Sequence, residues 1–378
     1  METMSFTLPN IIIGVGVINQ LGAQAKKYGR KTLIVTYPDI RRVGLLDKVI
    51  KDLEANGVST VVFEKVQPNP RSVTIDEGAA FAREQKVDLI IGLGGGSAMD
   101  SAKGIAASFN GKVSVWDYVE GKAQIIEPIP PFILVPTMAG TGSEINAGSV
   151  ITNWTTHIKS PLRTTLAKVS IIDPEVTLTV PMNQIKAGGV DIFTHVVEPY
   201  ITDAAPTAIT DGVRETIMRT VVQNLPKVIA KPDDIDARGQ LSWASTMAMS
   251  TLSRLGGGAG QLTCHSIEHA LSGYYDVTHG AGLAALLPAW MNYHLPYRKE
   301  RFKLLGKNVF GETDGLPATE KWLKSVGMRL SLKDMGCKLE EAAAMADLAV
   351  RSSPPIMIAG ASVPLNAEII AKIIRESF

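Results

Sequence analysis

Between residue 31 and about residue 173, short β-branched apolar runs alternate with stretches of helical spacing. A strand buried on both faces has no polar positions to show, so such runs, punctuated by Gly and Pro, predict parallel strands joined by crossover helices. The predicted strands are 32–35, 60–63, 89–92, 132–135 and 170–172, with helical spacing in segments such as 45–56 and 74–84. After Pro181 the β-runs disappear. Long helical patterns follow at 184–201, 208–229, 235–253 and 280–295, separated by Gly, Pro and Asp. The expected architecture is an α/β N-terminal unit with a Rossmann-like parallel sheet (1–180), followed by an all-α unit (181–378). No solenoid-period repeat and no low-complexity tract interrupts this division.

Composition narrows the partners. The 378 residues are 45% apolar and 20% charged, with a formal net charge of +1, so no broad basic face for nucleic acid and no acidic tail is present. The balance points to small molecules. No uninterrupted apolar stretch reaches the roughly 18 to 20 residues of a membrane helix, and the start lacks a basic n-region, which predicts neither membrane insertion nor secretion. The two cysteines, Cys264 and Cys337, fit a reducing compartment and a cytoplasmic location.

Two loops have the character of a nucleotide site. The run DLIIGLGGGS (88–97) is a buried strand that ends in three glycines and leads at once into a helix-competent segment. Glycines let backbone approach a pyrophosphate, and the first-turn N–H groups of the next helix face the anion with the positive end of its dipole. The spacing is not the usual G-x-G-x-x-G, and a tight strand-to-helix turn without a ligand explains it too. A second loop, PTMAGTGSE (136–144), also follows an apolar strand, at the carboxyl edge where open α/β sheets bind ligands.

The histidines are unevenly placed. Four of six, His195, His265, His269 and His279, fall in the helical half with the carboxylate of Asp191. Asp191 and His195 are four apart, so on a helix they project from one face and can share an ion. The segment CHSIEH (264–269) repeats the four-residue step, and His279 follows ten residues later. Taken singly, each histidine is equally explained as a hydrogen-bonded or surface residue. His157 and His294 lack such partners and receive no role. A carboxylate with imidazoles suits Fe(II) or Zn(II), and such an ion polarises a carbonyl or lowers the pKa of an alcohol beside a nicotinamide.

With these motifs in hand, the chain resembles the iron-containing (group III) alcohol dehydrogenase family over nearly its whole length, from PNIIIG (9–14) to the last predicted helices. The resemblance implies a Rossmann-like nucleotide domain, an all-helical metal domain, and metal-dependent hydride transfer between NAD(P)(H) and a small alcohol or aldehyde. It implies that Gly95, Gly96, Ser97 and Asp100 form the pyrophosphate loop, that Thr137 and Thr141 belong to the second loop, that Asn69 contacts the adenosine side, and that Lys159 lies near the nicotinamide ribose. It makes Asp191, His195, His265 and His279 the metal ligands, and His269 a non-ligand that lines the substrate pocket and relays a proton. The segments CHSIEHALSGYYDVTH (264–279) and LPAW (287–290) look most like the butanol-dehydrogenase branch, which implies short aliphatic substrates. The resemblance also implies a homo-oligomer, of a number the sequence does not fix. Met138 departs from the family, which usually has a second threonine there.

Coenzyme choice stays open. Where NAD-preferring members carry an aspartate after the first strand, this chain has Tyr37 in VTYPDIRR (35–42). A 2′-phosphate is then not repelled, and Arg41 or Arg42 is available to pair with it, which leans toward tolerance of NADP(H). Asp39 is equally placed to bind a ribose. Three other readings stand beside this one. A dehydroquinate-synthase-like lyase needs basic residues that 254–278 lacks apart from Arg254. A glycerol-dehydrogenase-like enzyme lacks one of the four ligands. A nucleotide sensor with a structural metal leaves His269 and the glycines of 256–260 without a purpose, although a plain turn also explains those glycines.

Overall fold

The computed structural model describes residues 7–253, 261–352 and 362–378; the glycines of 256–260 and Arg254 lie outside them. The chain divides into two compact units. One comprises Leu8–Thr156 and Ser160–Val180, the other, among the described residues, Thr7, His157–Lys159 and Pro181–Phe378.

The first unit is built on a six-stranded parallel sheet of β1 (Asn10–Ile13), β2 (Lys31–Val35), β3 (Ser59–Phe63), β4 (Leu89–Gly94), β5 (Phe132–Pro136) and β8 (Val169–Ile172). Their spatial order is β1-β8-β5-β4-β2-β3. The central strands β4, β5 and β8 are buried at every position, which is why they read as unbroken apolar runs. Buried hydroxyls in and just after β2 each find a carbonyl on β4: Thr32 Oγ1 donates to Leu89 O at 3.3 Å and Thr36 Oγ1 to Leu93 O at 2.7 Å. From β2 the chain steps outward to β3, and from β4 it steps the other way to β5. The direction therefore reverses between β2 and β4, and a ligand crevice in an open sheet forms at such a point, outside the strand carboxyl ends.

Crossover helices α1 (Leu21–Ala25), α2 (Leu45–Ala55), α3 (Ser72–Glu84) and α4 (Gly96–Ser108) flank the sheet, with α5 (Val115–Val119) after them. Helix α4 is buried at every residue except Ser97. Small residues let it lie close to β4, since a Cβ on Gly92 would be 3.0 Å from Ala102 Cβ and 3.1 Å from Met99 Cα. The sequence did not predict β1, nor the separate two-stranded sheet of β6 (Gly148–Asn153) and β7 (Ile158–Arg163). Glycines at 14 and 16 break the apolar run of β1, and Pro161 with polar neighbours hides β7.

Among the described residues, the second unit's own stretch from Pro181 onward contains no strand. Its helices are α6 (Met182–Thr202), α7 (Ala208–Ala230), α8 (Ile235–Ala248), α9 (Thr263–Tyr275), α10 (His279–His294), α11 (Lys299–Leu305), α12 (Gly315–Ser325), α13 (Ala342–Ser352) and α14 (Ala367–Glu376). Helix α6 is buried on all sides from Ala187 to Thr202, as a helix threading a core must be, and packs against α7, α8 and α10. Two glycines set its neighbours' distance. A Cβ on Gly189 would meet Leu225 of α7 at 2.6 Å, and one on Gly280 would meet the Ala187 carbonyl oxygen at 2.2 Å. The first turn of α10 therefore rests on the backbone of α6, one turn before Asp191. No helix among the described residues is long and apolar enough to cross a membrane.

Candidate metal centre and coenzyme loops

Three helices bring one carboxylate and three imidazoles together. Asp191 and His195 lie on α6, His265 on α9, and His279 opens α10. Asp191 Oδ1 is 3.3 Å from His195 Nδ1, 3.5 Å from His265 Nε2 and 3.6 Å from His279 Nε2. Donors about 2.1 Å from one ion at a tetrahedral angle lie about 3.4 Å apart, so the spacings to Asp191 fit a single cation; the ligand atoms of Asp191, His195 and His265 all lie within 4.8 Å of one another, while His279 also groups with Glu268 and His269. Asp191, His195 and His265 are almost fully buried, and neither Asp191 Oδ1 nor His265 Nε2 has a hydrogen-bond partner. Two buried polar atoms left facing each other in this way are costly unless something between them binds both.

Behind these side chains stand two glutamates that the sequence reading did not single out. Glu198 on α6 accepts from the backbone N–H of Cys264 at 2.5 Å and of His265 at 3.3 Å, and it pairs closely with His265 Nδ1. Glu268 on α9 pairs closely with His279 Nδ1 and Ser272 Oγ, and lies 3.8 Å from Lys159 Nζ. Both glutamates are completely buried. Each lies three residues beyond a cluster histidine, at 195 and 265, and that repeated spacing is the signal that could have found them. Three buried carboxylates against the single ammonium of Lys159 leave the cluster two negative charges when the imidazoles are neutral. One divalent cation balances them, so the donor set fits Fe(II) or Zn(II) in charge as well as in spacing.

Titration in this cluster follows the charges. Burial opposes the charged form of His265, but Glu198 and Asp191 outweigh it and raise the imidazole to about 9. Burial works against Asp191 as well, yet His195 and His279 hold its carboxyl well below the usual range. A proton on His265 thus takes the electrostatic place that a cation would fill. His269, half-buried on α9 with its ring centroid 5.6 Å from that of His279, goes the other way. Burial, then the positive charge of Lys159 and the neighbouring imidazoles, pushes it well below its ordinary value and keeps it neutral. Lys159 arrives on the β6–β7 hairpin tip, where Gly273 of α9 admits the chain: a Cβ there would be 2.3 Å from the His157 carbonyl oxygen.

In the sheet unit, the loops flanking the reversal between β2 and β4 hold most of the residues expected to meet a coenzyme. Gly94, with φ of 155°, turns the chain from β4 into α4, and no side chain caps that helix. Gly95, Gly96 and Ser97 begin it, leaving their N–H groups to an anion. The second loop folds against the first. Thr137 N–H donates to Gly94 O at 3.0 Å, and a Cβ on Gly96 would lie 2.5 Å from Thr141 Cγ2. Tyr37, from the loop after β2, lies against the turn from β4 into α4, where a Cβ on Gly94 would be 3.4 Å from its ring. Asp100 is buried behind the loop with both oxygens engaged, Oδ1 by Ser143 Oγ at 2.6 Å and Oδ2 by Val150 N–H at 2.9 Å.

The fully buried Lys103, also absent from the sequence reading, donates to Ser143 O at 2.7 Å, Ser143 Oγ at 2.8 Å and Gly148 O at 2.5 Å. Asp100 and Lys103 together tie the second loop to α4. Asn69 sits apart, buried with φ of 52° before α3. Arg41 is held by Glu64 at 2.9 Å, and Arg42, largely exposed, by Asp39 at 3.1 Å.

A parallel sheet with uncapped glycine turns at its switch point, and a separate helical unit with a buried carboxylate–imidazole cluster, define a metal-dependent oxidoreductase. Comparison with known proteins agrees. Residues 9–174 match the family model described as iron-containing alcohol dehydrogenase, and residues 185–378 match that of the Fe-containing alcohol dehydrogenase family, C-terminal. The chain is 35% identical to NADH-dependent butanol dehydrogenase A of Clostridium acetobutylicum, over the full length of both proteins. It is 30% identical to NADPH-dependent aldehyde reductase YqhD of Escherichia coli, over 87% of this chain and 88% of that protein. The crystal structure of NADH-dependent butanol dehydrogenase A from Thermotoga maritima superposes with a TM-score of 0.94 at 35% identity, covering 100% of this chain and 99% of that one. The chain belongs to the iron-containing alcohol dehydrogenase family, and it is an oxidoreductase of the alcohol dehydrogenase and aldehyde reductase type.

Proposed function

We propose that the protein interconverts small aliphatic aldehydes and alcohols at the expense of NAD(P)(H), with Asp191, His195, His265 and His279 holding a divalent metal. The observation behind this is the convergence of three ring nitrogens on Asp191 Oδ1 at 3.3 to 3.6 Å. When bound there, Fe(II) or Zn(II) supplies Lewis acidity toward a carbonyl or alcohol oxygen. His269, held neutral beside the cluster, offers a lone pair to accept the proton an alcohol gives up, and returns it in the reductive direction.

Gly95, Gly96, Ser97, Thr137 and Thr141 take the pyrophosphate side of the coenzyme in residues 1–180, with Tyr37 and Asn69 toward the adenosine and Lys159 toward the nicotinamide ribose. Asp100 acts from behind, holding Ser143 and Val150 in place. Both coenzymes are accepted in this reading. Tyr37 presents no carboxylate to repel a 2′-phosphate, and exposed pairs such as Arg42–Asp39 are worth only about 0 to 1 kcal/mol, so the arginine is easily diverted. The relatives divide likewise by name, one NADH-dependent and one NADPH-dependent. We further infer a cytoplasmic homo-oligomer, in keeping with two free cysteine thiols and an apolar edge strand β1, which light scattering tests.

The test is absorbance of the reduced nicotinamide with butyraldehyde, running NADH and NADPH in parallel on protein reconstituted anaerobically with Fe(II) or Zn(II), against a chelated control. Turnover with both coenzymes, abolished by chelator, is the expected result. Asp191→Ala and His265→Ala should lose metal and activity together, while His269→Ala should lose turnover with metal still bound. Full metal occupancy in the first two would refute the ligand assignment.

A further inference from the structure

The ligand assignment leaves two completely buried carboxylates unexplained. A glutamate is among the residues least often found inside a protein, and an unpaired carboxylate in the interior neutralises rather than remaining charged. Glu198 and Glu268 are both paired, and with the same kind of atom. Each sits against the Nδ1 of a different cluster histidine, Glu198 against His265 and Glu268 against His279, and in both rings the other nitrogen, Nε2, points at Asp191 Oδ1. An imidazole that donates Nδ1–H to a carboxylate has its lone pair on Nε2, fixed in direction and raised in basicity. We propose that Glu198 and Glu268 are the positioning residues of the metal centre, each locking one histidine in the tautomer and orientation that metal binding needs. This rests on the ligand reading above.

The two glutamates are anchored differently, which separates their roles. Glu198 comes from α6 and also accepts the first N–H groups of α9, so it fastens that helix start to the helix bearing Asp191 and His195. Glu268 lies within α9, and its second oxygen is met by Ser272 and its charge by Lys159. A Cβ on Gly282 of α10 would lie 3.0 Å from Glu268 Oε1 and Cγ, so α10 packs closely against this carboxylate. Glu268 therefore aims His279 without supporting a helix end.

The experiment is metal affinity, measured by titrating chelator-stripped protein with Co(II) and following its visible d–d absorption, for wild type, Glu198→Gln, Glu268→Gln and Asp191→Ala. Glutamine keeps shape and removes charge. The expected result is binding weakened roughly 10- to 100-fold in both glutamine variants, with an altered Co(II) spectrum, and no binding in Asp191→Ala. Wild-type affinity and spectrum in both glutamine variants, while Asp191→Ala loses the metal, would overturn the positioning role and leave the ligand set standing. Retention of Co(II) by Asp191→Ala would instead overturn the ligand reading. Should Glu198→Gln fail to fold because α9 loses its start, Glu268→Gln decides the matter alone.

Discussion

His294 shows what a buried imidazole does when no carboxylate stands beside it. It is 1% exposed on α10, its Nδ1–H donates to Trp290 O at 2.8 Å, and burial lowers its pKa to about 4. As pH falls through about 6.5 the unfolded chain takes up a proton that the folded chain refuses until about pH 4. Stability is therefore unaffected above pH 7 and declines across that window, by up to about 3 kcal/mol at roughly 1.4 kcal/mol per pH unit. Denaturant unfolding followed from pH 7 to 4 should give a shallower decline in His294→Asn than in wild type; equal slopes would show that the proton is taken up elsewhere. The contrast with His265 also marks what could be read from the chain. The four-residue steps Asp191–His195 and His265–His269, and the scarcity of histidine, marked the cluster, while the choice of His279 over His269 as a ligand came only from the family resemblance. Glu198 and Glu268 did not, because a glutamate on a helix ordinarily faces water, and only burial reveals otherwise.

Among elements, the strands at the sheet centre and the long helices were legible to within a few residues, since apolar runs and helical periodicity state burial directly. The hairpin of β6 and β7 was not, because its short strands carry polar residues and Pro161 and so show no apolar run, although they pair across a connection of only four residues. Nor did periodicity show why α10 begins where it does. The backbone contact at Gly280 explains it, and yields a prediction: Gly280→Ala must separate α10 from α6 at Ala187 and carry His279 away from Asp191. The expected outcome is a loss of about 1 to 3 kcal/mol in stability, together with substoichiometric metal after reconstitution. Full metal content in this variant would mean that α10 has another way to approach.

On the scale of the molecule, a cation bound as proposed would add ligand bonds among α6, α9 and α10, three helices already joined by packing and by the contacts of Glu198 and Glu268. Ligand linkage adds about 4 kcal/mol at a free concentration a thousandfold above Kd. Calorimetry with and without chelator should accordingly show a lower midpoint for the stripped protein, restored by Fe(II) or Zn(II). A midpoint indifferent to chelator would argue that the buried cluster is content with protons.

The path of the chain has a consequence for recombination. The polypeptide does not pass from one unit to the other once, near residue 180; it also visits the helical unit at His157–Lys159 and returns. A chimaera joined at 180 would thus inherit the helices from one parent and, from the other, the ammonium that faces Glu268. Breeding metal centres among relatives of this enzyme calls for a three-residue graft as well as a crossover, and a library designed on a single breakpoint would mismatch that charge in every hybrid whose parents differ there.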